Sequence, residues 1–230
     1  CPHTLVMTAT PIPRSLALTV FGDLAVSVID ELPPGRGRVD TRVAGPEHRV
    51  DALDFVAAQL DKGGQAFVVC PRIGDQLSED DDDSNVPTAE AVFQELQPRF
   101  KRFGMGLVHG RIDREQQKST LADFAAGRIR LLVATTVIEV GVDVPGANVM
   151  AVMGADRFGL AQLHQLRGRI GRSSEVPRSY CLLLTDSTDA ETLDRLGVLE
   201  RTRDGFRIAE EDLARRGPGR MMGAAQHGAT

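Results

Sequence analysis

At 230 residues, 42% hydrophobic and 26% charged, the chain has a globular balance, with room for one large domain or two small ones. No run of about 18 or more apolar residues is present to span a bilayer, and the start, Cys1-Pro2-His3-Thr4, has neither an initiator Met nor a signal-peptide profile. It reads as an excised cytoplasmic segment without a membrane partner. A net charge of −5 argues against indiscriminate polyanion binding, but Glu79-Asp80-Asp81-Asp82-Asp83 gathers much of the acid in one place.

In chain order, the run from His3 to Ala9 is β-rich and ends in Thr8-Ala9-Thr10-Pro11-Ile12-Pro13-Arg14, after which Ser15 caps a short helix through Phe21. The hydroxyls of Thr8 and Thr10 can relay hydrogen bonds between a nucleotide site and a neighbouring groove; the plainer reading is a proline-stiffened turn. A second strand over 27–32 leads into Pro33-Pro34-Gly35-Arg36-Gly37-Arg38, an interdomain linker. Beyond it the period alternates: strand 39–44, helix 47–62, strand 65–70, helix 88–100, strand 105–109, helix 113–126, strands 129–135 and 148–153, helix 159–167, strand 179–184. The strands are near-continuously apolar, as strands covered on both faces should be. The chain is therefore expected to form an α/β doubly wound parallel sheet, with ligands held past the carboxyl ends of its strands. Helices over 189–202 and 208–215, joined at Asp204-Gly205, form a hairpin, and Arg216-Gly217-Pro218-Gly219 opens a loop. Residues 79–83 with their polar flanks read as a solvated insertion. Cys1, Cys70 and Cys181 are odd in number and far apart, and the last two fall in apolar runs, so free thiols are expected and no metal site.

Three stretches carry chemistry. Gln162 to Arg172 packs three guanidiniums, two glycines and two glutamines into what would be three helical turns. As a helix it places Gln165, Arg169 and Arg172 on one face at i, i+4 and i+7, within reach of a polyphosphate, while Gly168 and Gly171 admit a close backbone; otherwise it is a solvated basic face. His109-Gly110-Arg111 follows a strand and precedes a helix that Asp113 can cap, which suits a phosphodiester backbone at a helix N-terminus or a tight turn. After the strand at 129–135, Thr135, Thr136, Gly141 and Asp143 supply hydroxyls and amides for phosphates and a carboxylate for a ribose or an arginine.

These motifs, in this order, resemble the second half of a superfamily 2 helicase, and over nearly the whole chain they look like the RecG family of branched-DNA translocases. Thr8 to Arg14 is similar to motif III, Asp30 to Arg36 to the family's linker, Ala134 to Pro145 to motif V and Gln162 to Arg172 to motif VI. The resemblance implies a RecA-like fold divided at residues 1–37 (end of a first lobe and linker), 38–186 (second lobe) and 187–230 (translocation hairpin and loop). It also implies ATP-dependent remodelling of forks and Holliday junctions in repair and recombination. By that resemblance Arg169 and Arg172 match arginine-finger positions, with Gln165 as the third catalytic candidate, and Gly141 and Asp143 bind nucleotide. His109, Gly110, Arg111, Thr135 and Thr136 bind DNA, while Thr8, Thr10, Arg195, Arg216 and Gln226 couple turnover to movement. ATP and Mg2+ would be held mainly by the first lobe, since neither a Gly-x-x-x-x-Gly-Lys-Ser/Thr loop nor an Asp-Glu-x-His box occurs in the chain. By itself the chain is therefore expected to be inactive. The implied partners are branched or duplex DNA and a single-stranded-DNA-binding protein, around a monomer in the cytoplasm. Two alternatives are a transcription-repair coupling translocase and a non-catalytic nucleic-acid-binding module. His164 and Pro218 favour the first reading over the coupling translocase. Departures from the family pattern fall at Gly74-Asp75, Arg220, Ala224, Ala225 and His227.

Overall fold

The computed structural model describes residues 27, 37–71, 88–135, 144, 146–173 and 178–216. The expected motif III segment with Thr8 and Thr10, most of the linker, the acidic insertion, Thr136, Gly141, Asp143 and the loop with Gln226 lie outside the described residues.

Six strands alternate with helices along the described chain: β1 (Arg38–Ala44), α1 (Arg49–Asp61), β2 (Gln65–Val69), α2 (Ala89–Phe100), β3 (Met105–Val108), α3 (Arg114–Ala125), β4 (Leu131–Ala134), β5 (Ala147–Val152), α4 (Leu160–Arg167), β6 (Arg178–Leu184), α5 (Ala190–Arg201) and α6 (Gly205–Arg216). All strand pairs are parallel, in the order β1-β6-β5-β2-β4-β3. Successive side chains leave a strand on opposite faces, and both faces are covered here. Phe67, Val69, Leu132, Ala134, Met150 and Val152 join a core closed by α3, α4, α5 and α6. Ala66, Val68, Leu131, Val133, Val149 and Ala151 join a second core beneath α1 and α2. The doubly wound parallel sheet expected from the alternation is the observed fold.

Short polar side chains set where the helices begin. Thr88 Oγ1 accepts from Ala91 N at 3.1 Å, Asp113 Oδ2 from Glu115 N at 2.9 Å, Asp189 Oδ2 from Thr192 N at 2.8 Å and Asp204 Oδ1 from Phe206 N at 2.9 Å. Each such cap stabilises its helix by about 1 kcal/mol. Asp204 corrects the expected hairpin turn: instead of joining Asp204-Gly205 and starting at Ile208, the helix begins at Gly205 with Asp204 as its cap. The segment expected as helix from 47 opens with a 3-10 turn at Pro46–His48 before α1.

Strand β1 lies at the sheet edge, where open backbone groups invite another strand. Side chains from the end of α5 and the turn after it close that edge. Val43 N donates to Glu200 Oε1 at 2.7 Å, and Arg203 Nη2 donates to Val39 O at 2.6 Å. Cys70 and Cys181 are buried and free, and burial pushes both thiols up to about 12, so at neutral pH neither is a nucleophile or a ready metal ligand.

Candidate functional site

The arginine stretch is built on α4, whose Leu160, Leu163, Leu166 and Arg167 face the core at helical spacing. Its start is held by the hairpin. Asp212 of α6 accepts from Leu160 N at 3.4 Å, placing a carboxylate at the positive end of α4. Arg195 of α5 donates to Phe158 O at 2.9 Å and Asp156 O at 2.6 Å, pinning the turn that feeds α4. Arg195 thus joins α5 to the turn that precedes α4.

The far end of α4 is held by Arg167, which is 5% exposed. Its Nη1 donates to Leu199 O at 2.7 Å, Thr202 O at 3.1 Å and Thr41 Oγ1 at 3.4 Å, and its Nη2 meets His164 Nδ1 at 2.7 Å. The two carbonyls belong to the C-terminal turn of α5, where helical carbonyls lack intrahelical donors and carry partial negative charge. Burial pulls the Arg167 pKa below its ordinary value, but a guanidinium remains charged at neutral pH. Sequence reasoning counts Arg167 among three guanidiniums and gives it no task. Its spacing from Leu160 and Leu163, at i+7 and i+4, is the available sign that it points inward.

The continuous helical face expected for Gln165, Arg169 and Arg172 does not form. Helix α4 stops at Arg167, and Gly168 and Arg169 close it by donating to His164 O and Leu166 O at 3.1 and 2.9 Å. Gly171 then turns the chain with φ +69°, and Arg172 folds back so that its Nε donates to Gly168 O at 3.1 Å. The close backbone approach expected of Gly171 is real: Gly37 N donates to Gly171 O at 3.1 Å, and a Cβ on Gly171 would meet Val39 Cγ2 at 2.9 Å. Gln165 and Arg169 are half-buried and Arg172 is exposed. The candidate catalytic group is a tight turn hung on a rigid helix end.

At the carboxyl end of β3, His109 is tied down. Its Nδ1 accepts from Arg111 N at 3.3 Å, which leaves the ring proton on Nε2, 3.1 Å from Glu90 Oε1. Gln117 secures the turn through His109 O and Ile112 O. Asp113 Oδ2 accepts from the amides of Glu115 and Gln116 at the start of α3, and Gly110 and Arg111 are the exposed groups of the turn. A Cβ at Gly110 would meet nothing within 4 Å, so a partner backbone has room there. Thr135, past β4, is buried. Arg216 ends α6. Among the described residues no His, Cys, Asp and Glu cluster suits a metal ion, and no helix is long and apolar enough to cross a membrane.

Residues 49–174, more than half of the chain, match the Helicase conserved C-terminal domain family. The chain belongs to that family. It is 48% identical over 226 residues to the ATP-dependent DNA helicase RecG of Thermotoga maritima, covering 98% of this chain and 28% of that protein. It is 47% identical over 229 residues to RecG of Escherichia coli K12, covering 99% of this chain and 32% of that protein. The chain thus spans about a third or less of the relatives it matches. A RecG structure bound to a three-way DNA junction superposes with a TM-score of 0.72 at 45% identity, over 93% of this chain and 27% of the other. Domain 2 of the DEAD-box helicase Mss116p, at TM-score 0.53 and 17% identity over 71% of this chain and 60% of that one, shares the fold alone. The architecture is the RecA-like lobe of these helicases, and the similarity to RecG extends along the whole chain.

Proposed function

We propose that this chain is the second motor lobe of an ATP-dependent helicase that remodels branched DNA, at stalled forks and Holliday junctions, in repair and recombination. On this reading residues 1–37 close a first lobe and its linker, 38–186 form the second lobe, and 187–230 pass lobe movement to duplex DNA. The observation that supports it best is the fixed arginine turn. A helix end locked by buried Arg167, followed by a glycine turn pressed against Gly37, presents Arg169 and Arg172 without leaving their geometry to chance. Charge spreading over a transferred phosphoryl group is stabilised by guanidiniums already in place, and pre-organisation is where such catalysis gains most.

Arg169 and Arg172 then face the γ-phosphate, with Gln165 as a hydrogen-bonding partner at the same site and Gly141 and Asp143 holding the nucleotide. His109, Gly110, Arg111, Thr135 and Thr136 meet DNA, His109 by shaping its turn and Arg111 by direct charge. Thr8, Thr10, Arg195, Arg216 and Gln226 couple turnover to movement. ATP with Mg2+ is bound mainly by the first lobe, so the chain alone hydrolyses no ATP. A monomer acting in the cytoplasm, with a single-stranded-DNA-binding protein among its partners, completes the reading.

The test is Arg169→Ala and Arg172→Ala in the complete protein, with ATP binding and fork-stimulated hydrolysis followed separately. Turnover should fall by roughly 10³-fold or more, with affinity little changed. Variants that bind ATP poorly yet turn over normally at saturation would refute the catalytic assignment.

A further inference from the structure

The amino end of edge strand β1 carries a charge arrangement that neither the arginine turn nor the hairpin anchors account for. In the parallel register Arg38 stands beside Arg178 of β6, and Asp40 beside Tyr180. Like charges in register on neighbouring strands destabilise a sheet, and local rules of this kind are broken most often where a surface has work to do. One carboxylate sits among the arginines. Asp40 takes Nε of Arg38 at 2.8 Å and Nε of Arg178 at 3.4 Å, and Arg203, from the turn between α5 and α6, reaches it at 3.5 Å. The three guanidinium side chains are 66%, 59% and 51% exposed, whereas Asp40 is 22% exposed. Three cations therefore share one anion on an open surface.

No other described carboxylate is shared by three arginines. Arg99 meets Asp54, Arg102 meets Asp61, Arg128 meets Asp123, Arg49 meets both Glu95 and Asp186, and Asp194 takes Arg201 and Arg215, the latter also meeting Glu211. The excess at Asp40 is thus local, in a chain whose net charge is −5. Asp40 engages Arg38 and Arg178 through Nε, and among the described residues no hydrogen bond occupies the terminal nitrogens of either fork.

We propose that Arg38, Arg178 and Arg203 form a contact for the sugar-phosphate backbone of duplex DNA, adjoining the turn at 168–172 but using none of its arginines. All three are arginines, whose planar fork fits phosphate oxygens two at a time. Their shared carboxylate holds the side chains in place beforehand, which lowers the ordering cost of binding. They come from two adjacent strands and the turn between α5 and α6, and all three side chains are more than half exposed, as a contact for a repeating phosphate track requires. Backbone contacts position a duplex without reading its sequence, as suits an enzyme that acts on DNA structure. The proposal rests on the DNA-helicase reading above, and the experiment separates the two.

In the complete protein, Arg38→Gln/Arg178→Gln/Arg203→Gln and the single variant Arg178→Gln are compared with the parent for binding to a forked duplex across a KCl series. Removing one phosphate-bound guanidinium should flatten the slope of log affinity against log salt by about 0.9, so the slope of the single variant falls by about one unit and that of the triple variant by about two to three. The weakening should be equal for duplexes of unrelated sequence. Melting curves confirm that each variant is folded, and the single variant stands if the triple does not fold. An unchanged slope in a folded variant overturns the proposal. So does a variant that loses binding to polyglutamate while keeping its DNA slope, since the three arginines would then serve an acidic protein segment. A parent protein that binds no duplex at all overturns the helicase reading itself.

Discussion

Arg167 is a buried cation whose hydrogen-bond partners are two carbonyls, a hydroxyl and an imidazole nitrogen rather than a carboxylate. A buried charge is tolerated when hydrogen bonds replace its missing hydration, and the dipole of α5 supplies the attraction here. Arg167→Met keeps the apolar stem and removes the donors, leaving Leu199 O unpaired in the interior and Thr202 O unpaired at its margin. The expected cost is about 2–4 kcal/mol, read as a lower urea midpoint at unchanged slope. Arg167→Lys should recover little, because a single ammonium cannot span the same carbonyls. The inward position of this residue is legible from its place on the leucine stripe of α4. Its partners are not, since the acceptors stand 32 and 35 residues further along and expose only main-chain oxygen. The same holds for Asp212, whose value lies in touching an amide 52 residues earlier.

Among the elements, the arginine-bearing turn shows where periodicity misleads. Residues 162–172 carry helical spacing throughout, yet the helix yields at Gly168 because Arg167 is spent on fixing the helix end and Gly171 must adopt a positive φ to meet Gly37. An isolated helical pattern cannot announce a meeting with a residue so far back in the chain. Gly171→Ala tests that meeting. An alanine at φ +69° is strained by about 1–2 kcal/mol, and its Cβ would crowd Val39. In the complete protein, kcat for ATP hydrolysis should fall about tenfold or more while KM changes less, because the strain displaces Arg172 rather than the nucleotide pocket. A fall in KM-controlled binding alone would show that the turn contributes affinity, not catalysis. Helix starts, by contrast, are readable to within a residue or so wherever a threonine or aspartate caps, as at Thr88, Asp113 and Asp189. The start of α6 escapes the sequence because Gly205 looks like turn punctuation although Asp204 already caps the helix.

For the molecule as a whole, the sheet is legible because its strands are apolar on both faces, a pattern that parallel pairing beneath two helical layers demands. The hairpin's share in the sheet's core is not, since Leu196, Val198, Leu199 and Ile208 could equally have packed on each other. Three exposed carboxylates add a pH dependence to this stability. Arg38 donating to Asp40, the Thr192 amide at Asp189 and Arg215 donating to Asp194 each hold a carboxylate below its ordinary 3.8. A folded pKa below the unfolded one means that the folded state binds fewer protons, so this stabilisation is complete above about pH 3.8 and disappears as pH falls through the lower folded values. The melting temperature should therefore fall modestly as pH drops below about 4, and fall less in Asp40→Asn/Asp189→Asn/Asp194→Asn, as circular dichroism across about pH 2–6 would show. Glu200 and Arg203 carry a further consequence. Their side chains occupy hydrogen-bonding groups along the outer rim of β1, so a version shortened to end after β6 would keep all six described strands yet offer a bare template to its own copies. Such a truncation would be expected to seed fibres, which makes the hairpin a guard against self-recruitment.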